Sequence, residues 1–196
     1  MLDQKRHLED KYSCHFEDPQ CLTDLQKVIH GNFMDLNASF SRTIVYMCIG
    51  TDRATGDCLG PLVGSRLQNY LPNAAIYGTL QQPVHAVNLE EVMGNLANQH
   101  ENPLVVAIDA CLGNVDRIGF VSVRRGSLKP GSAMNKTLPE VGDFYISGVV
   151  NVGGYFEHMV LQNTRLFTVY KMADIIAKSI YLAQYRFNRH RQGLMT

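Results

Sequence analysis

Two carboxylates stand where an α/β chain can do chemistry. Asp57 lies in the segment Gly50-Thr51-Asp52-Arg53-Ala54-Thr55-Gly56-Asp57-Cys58-Leu59-Gly60, between an apolar run, Thr43 to Ile49, and an amphipathic pattern that begins at Leu59. Asp109 follows a second apolar run, Leu104 to Ile108. The crevice beyond the carboxyl ends of parallel strands is where open α/β sheets bind their ligands. Two carboxylates meeting there can divide acid and base work. One stays ionised and activates water, and the other keeps a proton for the leaving group.

Plainer accounts exist for each residue. Asp57 suits the N-cap of the following helix, because its carboxylate accepts backbone N–H bonds. Asp109 suits a turn after a buried strand. Gly50, Gly56, Gly60 and Gly64 allow unusual backbone angles and close approach of a substrate. A phosphate cradle would use glycines in the same way, but there is no Gly-Lys-Ser/Thr, and Asp52 and Asp57 would repel a phosphate. Cys58 falls at a helix start, where the dipole favours a thiolate, yet a small packed cysteine explains both it and Cys111 more simply. His85 and His158 lie within reach of the same region, without the spacing of a metal pair.

The elements that must hold these residues alternate. Thr43 to Ile49 reads as a strand rich in β-branched residues. Leu59, Leu62, Val63, Leu67, Tyr70 and Leu71 recur at helical spacing, and Pro72-Asn73 ends that helix. Ala75 to Leu80 reads as a second strand. Asn88, with Glu91 three residues on, reads as a capping box for a helix bearing Leu89, Val92, Met93 and Leu96. Leu104 to Ile108 is apolar on both faces and therefore central. Ile118 to Val123 and Phe144 to Val150 follow as strands around a long loop, Arg125 to Glu140, of a length often tied to function. A stripe from Leu166 to Ile180 marks a final helix running to about Tyr185. Strands alternating with helices predict a three-layer α/β/α fold with a mostly parallel central sheet. Residues 1–40 read as an N-terminal arm whose short helix, opening at Asp18-Pro19, stops at Gly31-Asn32. Residues 41–196 read as a single α/β/α domain.

Composition narrows the classes. The 196 residues carry 18 basic and 18 acidic side chains, so there is no electrostatic case for a nucleic-acid partner. The start, Met1 to His7, is polar, and no run reaches the roughly 18 apolar residues of a membrane span. The expectation is a cytoplasmic protein without a membrane partner. Five cysteines, an odd number with no CxxC, argue against a disulfide framework or a zinc knuckle.

Gly50, Thr55, Asp57, Leu59, Gly60 and Pro61, with Ile108-Asp109-Ala110 downstream, resemble the bacterial spore germination protease. That enzyme is an atypical aspartate-dependent endopeptidase related in fold to the hydrogenase maturation proteases. The likeness continues at Pro130-Gly131-Ser132, at Asn135-Lys136 and at Ile146 to Val149, and spans roughly Thr43 to Ile176. Gly-Thr-Asp-Arg-Ala-Thr-Gly-Asp is closer still to the small YyaC-type sporulation proteins. The resemblance departs at Thr51, where the protease family commonly has Asn, and at Gly56, where it has Pro.

The resemblance implies a peptidase that acts on a peptide or spore protein in the forespore or spore interior. Its two catalytic aspartates fall on Asp57 and Asp109. Asp57 would be held anionic by the helix dipole, and Asp109 would be driven neutral by burial and by its charged neighbour, although a coupled pair can exchange roles. Thr51, Thr55 and the backbone of Gly50, Gly56 and Gly60 are expected to hold substrate or its oxyanion, with His85 and Asn151 completing the binding set. In the hydrogenase-maturation relatives the matching acidic positions contact a metal. This chain offers no third ligand, so no metal and no cofactor is expected. The final helix either covers the sheet or forms a homodimer contact. A peptide-binding module without catalysis and a small-molecule hydrolase remain the alternatives.

Overall fold

A computed structural model describes residues 11–130 and 138–193. Its elements are β1 (Lys11–His15), α1 (Cys21–Leu36), β2 (Ile44–Cys48), α2 (Leu59–Tyr70), β3 (Ala75–Tyr77), α3 (Leu89–Gln99), β4 (Leu104–Gly113), β5 (Phe120–Arg125), β6 (Phe144–Val152), α4 (Glu157–Gln162) and α5 (Leu166–Gly193). A six-stranded sheet runs in the order β1-β5-β6-β4-β2-β3. Strands β3, β2, β4 and β6 are parallel, and β5 lies antiparallel to both β6 and β1. The fold is the expected α/β/α arrangement with a mostly parallel sheet.

The alternation of side chains along the central strands sorts the core into two layers. Ile44, Tyr46 and Cys48 of β2 join the apolar stripes of α1, α2 and α5 on one face. Val45, Met47 and Ile49 pack with α3, Val84 and Val141 on the other. Helix α5 covers the sheet, burying Val169, Met172, Ala173, Ile176, Ala177 and Ile180 completely. Helix α2 lies very close to β2. A Cβ on Gly60 would stand 2.0 Å from the Ile49 carbonyl oxygen, so only glycine admits this approach.

Several boundaries differ from the sequence reading. The first forty residues contribute a sheet strand, β1, and a core helix. Helix α1 does not stop at Gly31-Asn32. Asn32 gives its amide to the Val28 carbonyl at 2.9 Å and accepts from Arg125 Nε at 3.0 Å. Phe33, one residue on, packs edge-on against Phe144 and Phe187. Those contacts outweigh the roughly 1 kcal/mol helix penalty of glycine. Strand β3 ends at Tyr77, before Gly78 at φ +88°. Asn88 makes no side-chain cap on α3. It accepts from the His85 N–H at 2.8 Å and donates to the Pro83 carbonyl at 3.0 Å, tying the preceding loop instead. A single disulfide joins Cys14 to Cys21, with Cα atoms 5.5 Å apart, a pairing that the odd cysteine count did not suggest. Among the described residues, no helix is long and apolar enough to cross a membrane.

Candidate functional site

Strand β4 outruns its neighbour. The pairing of β2 with β4 ends at Cys48 opposite Ile108, but β4 continues beside β6 to Gly113. Asp109 is therefore inside a strand, not at its end, and it is the first residue of β4 with no β2 partner. The β2 chain turns away at Gly50, whose φ of +136° is open to glycine and strained for other residues. There the Gly50 N–H donates to the Val84 carbonyl at 2.7 Å and the Thr51 N–H to the Asp57 carbonyl at 3.2 Å. Those two bonds fold residues 50–57 back over the notch. Asp57 follows in a 3-10 turn, Gly56–Cys58, that leads into α2. It does not cap that helix with its side chain.

The result is a cleft of about 720 Å³ at the carboxyl ends of β2 and β4, with both Asp57 and Asp109 in its wall. Most of the remaining wall is apolar, including Ile49, Val87, Leu112, Leu128, Leu138 and Leu161. Thr51, Arg53, Lys129, Glu157 and the two imidazoles, His85 and His158, supply other polar groups.

Burial drives the electrostatics. Asp109 is only 7% exposed. Desolvation pushes its carboxyl well above the usual range, the negative Asp57 pushes it further, and the Ala110 N–H, donating at 2.8 Å, opposes both. Asp57 is also raised by desolvation, but the Thr51 N–H and positive charge on His85 or His158 pull it back. The site therefore holds a proton more readily on Asp109 than on Asp57. Cys111, in the same wall, is pushed up to about 11 by burial and by Asp109, so it is a thiol. Cys58 is buried outside the cleft, and desolvation followed by Asp52 and Asp57 raises it too. That leaves no activated nucleophilic cysteine among the described residues. No group of three or more His, Cys, Asp or Glu among the described residues is arranged to hold a metal ion.

Of the other expected site residues, Gly50, Thr51 and His85 line the cleft with the two aspartates. Thr55, Gly56, Gly60 and Asn151 do not. Gly56 makes room for α4: a Cβ there would meet Leu161 Cδ2 and Thr164 Oγ1 at 2.8 Å each. Gly60 serves the α2–β2 contact. Asn151 donates to the Val160 carbonyl at 3.3 Å and to Thr164 Oγ1 at 3.2 Å, so it anchors α4. The amides of Gly50 and Thr51 are spent on Val84 and Asp57. Side-chain donors in the cleft wall include the Thr51 hydroxyl and the Arg53 guanidinium. Arg53 and Lys129 were not singled out by sequence, since isolated surface cations carry no signal. Pro130 lines the cleft, whereas the Gly131-Ser132 and Asn135-Lys136 matches lie outside the described residues.

Comparison with known proteins came to three findings. The family described as a protein of unknown function (DUF1256) matches residues 13–179. The uncharacterized protein YyaC of Bacillus subtilis (strain 168) is 50% identical over 148 residues, which span 75% of this chain and 72% of that protein. The crystal structure of a NiFe hydrogenase maturation protease, HycI from Thermococcus kodakarensis KOD1, superposes with a TM-score of 0.45 at 20% identity, covering 74% of this chain and 98% of that one. A likeness that distant carries no claim about activity.

Proposed function

The chain belongs to the DUF1256 family of proteins of unknown function, and from that premise we propose that it is an aspartate-dependent peptidase working through Asp57 and Asp109. The observation that carries this reading is the pair itself: two desolvated carboxyls in one apolar-walled cleft, one raising the proton affinity of the other. Such an environment separates an acid from a base at one pH.

The chemistry follows from that separation. Ionised Asp57 takes a proton from water as the water oxygen adds to the scissile carbonyl carbon. The carbonyl oxygen becomes an oxyanion within reach of the Thr51 hydroxyl and Arg53. Asp109 gives its proton to the amide nitrogen, the C–N bond breaks, and the products are a carboxylic acid and an amine. The proton gained by Asp57 returns the pair to one shared proton. The substrate we assign is a spore protein in the cytoplasm of the forespore. That choice is supported by the resemblance of residues 50–61 and 108–110 to the spore germination protease.

The test is incubation with small acid-soluble spore proteins and with an unfolded casein control, followed by mass spectrometry of the fragments. Wild type is expected to cut. Asp57→Asn and Asp109→Asn are each expected to lose cleavage by 10³-fold or so while keeping the wild-type circular dichroism spectrum. Full activity in either variant ends the dyad reading. Binding without cleavage by wild type would leave a peptide-recognition module in its place.

A further inference from the structure

A second pocket of about 480 Å³ adjoins the acidic cleft, and His85 lines both. The two differ in chemistry. Among the described residues, no Asp, Glu, Lys or Arg lines the second pocket, whose polar groups are Gln68, Tyr77, Thr79, Gln82, His85 and Asn88. Thr79 and Asn88 are already engaged, as acceptor for Gln82 N–H and as the tie on residues 83–85. Gln68 and Gln82 are exposed and make no side-chain hydrogen bond among the described residues. Each offers one acceptor and two donors, the complement of a peptide group. The pocket runs along Ile76, Tyr77, Gly78 and Thr79. These residues form and follow the edge strand β3, which has β2 on one side and, among the described residues, no strand on the other. An edge of this kind pairs with extended chains.

From the shared His85 wall, the lack of charge and the open strand edge, we infer that the second pocket holds the residues flanking the cleaved bond. The substrate is then an extended polypeptide, with apolar side chains in the acidic cleft and uncharged polar residues along β3. A charged ligand such as a nucleotide finds no counter-charge there, and a compact small molecule leaves the second pocket empty. The loop that divides the pockets is rigidly built. Val84 bridges Ile49 in parallel register, its carbonyl accepts from Gly50, and Asn88 clamps it from the other side.

This inference deepens the peptidase reading, and the experiment separates the two. The probes are fluorescein-labelled peptide pools with a central Leu-Leu pair. One pool is about twelve residues long, flanked by randomised Gln, Asn, Ser, Thr and Gly, and the other is the central segment of about five residues, long enough for one pocket only. Anisotropy gives the affinities on wild type, Asp57→Asn, Gln68→Trp and Gln82→Trp, and mass spectrometry scores cleavage. The long pool is expected to bind about tenfold more tightly than the short one, the yield of one or two well-made hydrogen bonds. Each Trp variant is expected to erase that gain by filling the pocket, with short-pool affinity and melting temperature unchanged. Equal affinity of the two pools, an undiminished gain in the Trp variants, or no binding of either pool overturns the inference. A pocket-dependent gain without cleavage by wild type upholds it and overturns the peptidase reading alone.

Discussion

Two helical glycines, Gly60 and Gly94, should respond to the same substitution with opposite signs. Replacing glycine by alanine in a helix gains up to about 1 kcal/mol of intrinsic propensity. At Gly94, on exposed α3, a new Cβ meets nothing within 4 Å, so Gly94→Ala should stabilise the protein by about 0.5–1 kcal/mol. At Gly60 the same atom would stand 2.0 Å from the Ile49 carbonyl oxygen and 2.7 Å from its nitrogen. Both are main chain of the sheet, so no rotamer change relieves them. The first turn of α2 must withdraw by at least about 1 Å, loosening Leu59 and Val63, which are completely buried. Overpacking of this kind costs about 1–3 kcal/mol, sometimes more. After the propensity gain, Gly60→Ala should lose up to about 2 kcal/mol, which puts the pair up to about 3 kcal/mol apart. Urea unfolding with a common slope reads this directly as a difference in midpoints. The same withdrawal displaces Asp57, three residues upstream, relative to Asp109, and a displacement near 1 Å is worth about a hundredfold in rate. If Gly60→Ala is as stable as Gly94→Ala, the close α2–β2 contact is not as described and the account of how Asp57 is positioned goes with it.

Three further outcomes follow from features at other places. Asp109 carries a carboxyl whose folded-state pKa is raised, so above the ordinary value of about 4 the folded state binds more protons than the unfolded chain. Stability must then fall as pH rises through the folded-state pKa. Asp109→Asn should flatten that slope and be the more stable protein at neutral pH, and identical urea midpoint-versus-pH curves would contradict it. Arg42 spans the Leu36, Asn102 and Pro103 carbonyls and pairs with Asp143 at 2.8 Å, a half-buried hub that joins α1 to the start of β4. Arg42→Ala should cost about 2–4 kcal/mol in thermal or urea unfolding, and a change under about 0.5 would show the hub to be dispensable. Reduction of Cys14–Cys21, which closes a short loop, should cost about 2–3 kcal/mol by the loop-entropy model, measured as the urea midpoint with and without dithiothreitol.

The layered fold was legible because its signals are local and repeated. The β-branched run before Gly50, the helical spacing from Leu59 to Leu67 and the stripe of α5 each state their own burial. What stayed illegible depended on partners distant in sequence. Nothing near Gly31-Asn32 announces that Arg125 will satisfy Asn32. Nothing near Asn88 says that its amide is needed by residues 83–85 rather than by its own helix. Asp57 and Asp109 were readable as a pair because each borders an apolar run. Their glycine neighbours were readable only as permissive backbone. The distinction between Gly50, which lines the cleft, and Gly60, which seats a helix, is set by which main chain passes each one. Asn151 has the composition of a binding residue and the position of a tether, and only the α4 contacts tell them apart.

The placement of β1 bears on how the chain acquires this structure. Lys11 to His15 pair with Arg124 to Phe120, and α1 rests on α5, so the earliest described segments wait for partners made more than a hundred residues later. Until β5 and α5 are available, the buried faces of Leu25, Ile29 and Phe33 have little to cover them. Long-range closure of this sort slows folding and prolongs the exposure of apolar surface. During synthesis β1 and α1 are therefore held in reserve. A lesion in α5 would uncover α1, although α1 does not border the cleft, while β1 would keep its pairing with β5.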